Sequence, residues 1–157
     1  MQHASRHHHD AGESVLAAVS LAVGRLLDRG YLHAAMAVCA LTASADGEVS
    51  FEERYAIDAA LDRDPLLERF GTVQSLTVLD DQLARLREEP EGAREALLQV
   101  VERAGRRPDR AVALMRLAWE VITADDVIDP AELMEFEMLC DLLGVDPEEV
   151  RGEMLGL

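Results

Sequence analysis

Apolar positions recur at helical spacing along most of this chain, and the period-two alternation of a half-buried strand occurs nowhere. Val15, Val19, Ala22 and Leu26, flanked by Leu16, Val23 and Leu27, lie three and four residues apart and predict a first helix ending at Gly30. Residues 32–43 are apolar on nearly all sides, as are residues 111–122 apart from Arg116 and Glu120. A helix without a polar face has to be surrounded by others, so these two are the expected central helices. Val73, Leu76, Leu79, Leu83 and Leu86 form a further stripe, and Ala93, Ala96, Leu97, Val100 and Ala104 another. Breaks at Pro90 and at Arg106-Arg107-Pro108 separate these segments. Leu133, Phe136, Leu139, Cys140 and Leu143 line a late helix closed by Gly144, and Asp146-Pro147-Glu148-Glu149 caps a short last one. The expected fold class is all-α, a helical bundle forming a single domain over residues 13–157 behind a flexible tail over residues 1–12.

The same pattern occurs twice. Displacing the chain against itself by 79 positions lays residues 36–61 on residues 115–140: Ala45-Asp46 meets Ala124-Asp125, Val49 meets Ile128, Ser50 meets Asp129, Glu53 meets Glu132 and Ile57 meets Phe136. Each copy reads as a buried helix, an acidic turn and an amphipathic helix. A unit of this size cannot bury its own apolar face, so the two copies are expected to pack together about an approximate twofold, as an internal duplication of helix–acidic turn–helix units.

Helix capping accounts for part of the acidity of these turns. Ser50-x-x-Glu53 and Asp129-Pro130-x-Glu132 both have the form of a capping box. Asp46 and Asp125 are different, because they stand where the preceding buried helices end, facing carbonyl groups that carry partial negative charge. A carboxylate there is disfavoured by roughly 0.3–1 kcal/mol unless a cation offsets it. The choice is made in both copies, which points to a cation. The candidate ligands are Asp46, Glu48 and Glu53 in the first turn and Asp125, Asp129 and Glu132 in the second. All are oxygen donors, which suit hard divalent ions such as Ca²⁺, Mg²⁺ or Mn²⁺, whereas structural zinc favours Cys and His. An EF-hand does not fit: with Gly47 at its sixth position, Thr42 and Ser44 stand where the first and third ligands belong.

The turn Ala45-Asp46-Gly47-Glu48-Val49-Ser50-x-x-Glu53, with its echo Ala124-Asp125-Asp126-Val127-Ile128-Asp129-x-x-Glu132, resembles the TerB-like family. Those are small all-helical domains associated with tellurite-resistance clusters, and a related domain stands at the start of some membrane-attached J-domain co-chaperones. The resemblance implies a duplicated helical bundle whose acidic turns bind divalent metal, serving stress-response complexes without established catalysis. Asp126 and Val127 replace the glycine and the acidic residue of the first turn, so the first turn is the better furnished of the two.

Charge narrows the partners. Across 157 residues, 31 acidic side chains face 15 basic ones, giving a net charge of −16. Such a surface repels phosphate backbones and anionic headgroups, so a protein partner is expected and nucleic acid is not. The apolar run over residues 15–23 is too short to span a bilayer, and no membrane insertion is expected. Cys39 and Cys140 lack CxxC spacing and read as buried thiols of a cytoplasmic protein. His3 and His7, His8 and His9 stand in the tail as an adventitious metal site; His33 reads as a hydrogen-bonded packing residue and Trp119 as core. No nucleophile–base pair, glycine-rich phosphate loop or Glu-x-x-His pair is present, so no enzyme is expected. Arg103, Arg106, Arg107 and Arg110 form a basic cluster that could dock an acidic partner. The alternative function is a metal-free helical adapter in which the turns serve only as caps.

Overall fold

The computed structural model describes residues 6–154 and 156, with the side chains of 6–11, 25–27, 153 and 154 excepted. Eight helices occur among them: α1 (Arg6–Ala43), α2 (Phe51–Arg63), α3 (Pro65–Glu68), α4 (Thr72–Glu88), α5 (Pro90–Ala104), α6 (Pro108–Ile122), α7 (Pro130–Leu143) and α8 (Pro147–Met154). No strand occurs among the described residues. Proline at the first helical position starts α3, α5, α6 and α7, where its missing N–H would have had no partner in any case. Gly144 ends α7 in the left-handed conformation at φ 65°.

The second half of α1 and all of α6 are the centre of the bundle. Tyr31, Leu32, Met36 and Cys39 of α1 are buried with Leu114, Met115, Trp119 and Ile122 of α6. Around them α1 packs against α4, α5, α6 and α7, while α6 also meets α2, α7 and α8. Neighbours on several sides are what a helix without a polar face requires. Ile57 and Phe136, equivalent at the 79-residue offset, are both fully buried. Trp119 lies in the core with its ring centroid 5.1 Å from that of Phe136. Both thiols are buried and free, and burial raises the pKa of each.

One expectation needs correction. The helix predicted to stop at Gly30 and the one beginning at residue 32 are one continuous helix of 38 residues. A lone helix-interior glycine costs about 1 kcal/mol relative to alanine, too little to break a helix whose second half is clamped in the core. That helix starts at Arg6; residues 1–5 and the side chains of His7, His8 and His9 lie outside the described residues. The apolar stripe of its first half is turned to solvent. Val15, Leu16, Val19 and Val23 are 49–70% exposed, because α1 runs on past the bundle at this end.

Candidate metal centre

The two acidic turns are built alike. After α1, Ser44 N–H donates to the Ala40 carbonyl at 3.1 Å and Ala45 N–H to that of Thr42 at 3.2 Å. After α6, Thr123 N–H donates to Trp119 at 3.1 Å and Ala124 N–H to Val121 at 3.2 Å. The chain then reverses through a left-handed residue at equivalent positions, Gly47 at φ 104° and Asp126 at φ 61°. Asp126 therefore takes the backbone conformation that glycine supplies in the first turn, one that Asp and Asn tolerate better than most L residues.

Asp46 and Asp125 close matching Asx turns. Asp46 Oδ1 accepts from Glu48 N–H at 3.1 Å, and Asp125 Oδ1 from Val127 N–H at 3.2 Å. These bonds give both aspartates a local backbone role that needs no cation, which weakens the argument from helix-end repulsion. At the next step Ser50 forms the full capping box: Glu53 N–H donates to Ser50 Oγ at 3.1 Å and Ser50 N–H to Glu53 Oε2 at 2.6 Å. Asp129 Oδ1 accepts from Ala131 N–H at 2.7 Å and caps α7.

The expected second capping box does not close, since Asp129 accepts from Ala131 N–H rather than from Glu132 N–H, yet the glutamates of the two turns meet. Glu53 and Glu132 are each only 4% exposed, and their carboxyl groups come together within hydrogen-bonding reach. Burial pushes the Glu132 carboxyl up to about 8, reinforced by its hydrogen bond to Glu53 and by the charges of Glu53, Asp46 and Asp129. Two ionised carboxylates in contact repel each other, and the raised Glu132 carboxyl keeps a proton beside Glu53 instead. The sequence divides six candidate ligands between two loops; the structure draws one buried glutamate from each loop into a single pair, with Asp46 and Asp129 near enough to act on it. Glu48 and Asp125 are exposed, and neither is among the groups acting on Glu132.

The donor set fits a hard divalent ion in kind, since every group is a carboxyl oxygen. Among the described residues no three such side chains converge closely enough to enclose an ion as they stand. Glu53 and Glu132 form the buried pair, and the charges of Asp46 and Asp129 act on it. His33 is not the packing histidine expected from sequence. It is exposed, because Tyr31, Leu32, Ala34 and Ala35 take the buried positions of that turn of α1.

A bundle of this topology, with paired acidic turns joined by a buried glutamate contact, is a small helical module of the kind the turn sequences suggest. Residues 32–153 match the model of the family described as tellurite resistance protein TerB, and the chain belongs to that family. No curated protein and no solved structure matches. The match begins where α1 enters the core, so the projecting first part of α1 precedes it.

Proposed function

We propose that this protein is a non-catalytic stress-response module of the tellurite-resistance type that binds one divalent cation between its two acidic turns and acts in cytoplasmic protein complexes. The observation that carries this reading is the contact between two buried glutamates, one from each turn. A buried like-charged pair keeps a proton or exchanges it for a cation, and oxygen donors favour Ca²⁺, Mg²⁺ or Mn²⁺. Glu53 and Glu132 would hold the ion, with Asp46 and Asp129 completing the charge balance. Among the described residues no helix is long and apolar enough to cross a membrane, and the charge of −16 disfavours nucleic acid.

A cation entering at neutral pH has to displace the proton on the pair, so binding and proton release are linked. Titration with Ca²⁺ or Mn²⁺ should raise the melting temperature as mass action requires and release about one proton per ion at pH 7. The double substitution Glu53→Gln/Glu132→Gln should abolish both effects. An unchanged melting temperature at millimolar ion would favour a metal-free adapter, a reading supported by the Asx turns and caps that already occupy Asp46, Asp125, Ser50 and Asp129.

A further inference from the structure

Away from the acidic turns, a cleft of about 510 Å³ opens between the middle of α1, the end of α5 and the start of α6. Arg29, Arg103, Arg107 and Arg110 line it together with Tyr31 and His33, and no carboxylate is among its described lining residues. Four of the chain's 15 arginines thus gather in one concavity of a molecule with a net charge of −16. The continuity of α1 through Gly30 creates the site, since it carries Arg29 and His33 alongside the arginines of α5 and α6.

The local field, not the net charge, decides what a small solute experiences there. Screening acts over about 8 Å at physiological ionic strength, so an anion inside the cleft feels the nearby guanidinium groups far more than the distant carboxylates. Counter-charges close by include Asp28, which pairs with Arg110 at 3.6 Å and with Arg69 at 3.0 Å, and Asp109, which pairs with Arg107 at 3.2 Å. Arg29 and Arg103 are exposed and form no ion pair among the described residues. Arg110 is held over the Tyr31 ring, 5.3 Å from its centroid, with its side chain only 12% exposed. Gly30, Val100 and Ala104 give the cleft an apolar wall beside this charge.

Guanidinium forks match phosphate oxygens in geometry and charge, and the volume lies within the roughly 300–1,000 Å³ usual for small-molecule sites. We propose that this cleft binds a small organic phosphate, its phosphate group held by Arg29, Arg103 and Arg107 and its apolar body set against Val100 and Ala104. The site is separate from the glutamate pair, and neither reading depends on the other.

Calorimetric titration of the whole protein with phenyl phosphate, in buffer containing chelator, tests this. One saturable site per chain is expected, tighter for phenyl phosphate than for inorganic phosphate because only the former fills the apolar wall. Raising ionic strength from about 0.05 to 0.5 M should weaken binding. The variant Arg103→Ser/Arg107→Ser should lose about tenfold or more in affinity while keeping its helical circular dichroism, whereas Arg85→Ser, at an exposed position outside the cleft, should bind like wild type. Absence of saturable binding at millimolar phenyl phosphate would overturn the proposal, and so would equal loss in both variants. Binding of an Asp/Glu hexapeptide but not of phenyl phosphate would also overturn it, reassigning the cleft to an acidic protein segment.

Discussion

Glu132 links the stability of the protein to pH. Its carboxyl is raised to about 8 by burial, by its bond to Glu53 and by the surrounding carboxylates, so the folded state keeps a proton that the unfolded chain releases near 4.5. The stabilisation is therefore fully present below about pH 4.5 and is lost as pH rises through about 8, contrary to the usual behaviour of a salt-bridged carboxylate. Glu132→Gln places a neutral amide beside Glu53 and removes that dependence. Urea midpoints of metal-free protein between pH 5 and 8.5 should fall more steeply for wild type than for Glu132→Gln, with the variant the more stable of the two at the alkaline end. Parallel curves would mean that the pair is solvated and that Glu132 titrates as an ordinary carboxylate.

At the scale of elements, α1 is where sequence and structure differ most. A glycine after an apolar stripe has the form of a helix stop, and Gly30 reads as one. In the folded chain it lies inside the helix with open space where a Cβ would go. Gly30→Ala should therefore stabilise the protein by about 0.5–1 kcal/mol, measured by urea unfolding, since alanine is the better helix former and meets no neighbour. Destabilisation would show that α1 needs a hinge at this point. Several helices are legible because their boundaries are marked: proline opens α5, α6 and α7, and Gly144 closes α7 in a left-handed conformation. The four-residue α3 leaves no mark on the pattern, as one turn is too short to show a period. The glutamate pair was out of reach for another reason. Capping-box spacing explains Glu53 and Glu132 each by its own helix, whereas their mutual contact joins residues 79 positions apart through tertiary packing. His33 shows the same limit, since an apolar neighbourhood in sequence does not reveal which face of a helix turns outward.

For the molecule as a whole, charge is distributed with two local exceptions to a surface that is otherwise acidic overall. The arginine cleft gathers positive charge that the net of −16 conceals, and the two acidic turns bring negative charge inward onto a buried pair. The turns come together because α1 and α6 pack at the centre of the bundle and each delivers its turn from its C-terminal end. This arrangement makes one shared centre, rather than a separate site in each loop, the feature on which the proposed function depends. The most direct test is an anomalous difference map from crystals grown with millimolar Mn²⁺. A peak within coordination distance of both Glu53 and Glu132 is the predicted result. A map without that peak, in which the two carboxyl groups remain hydrogen-bonded to each other, would contradict it.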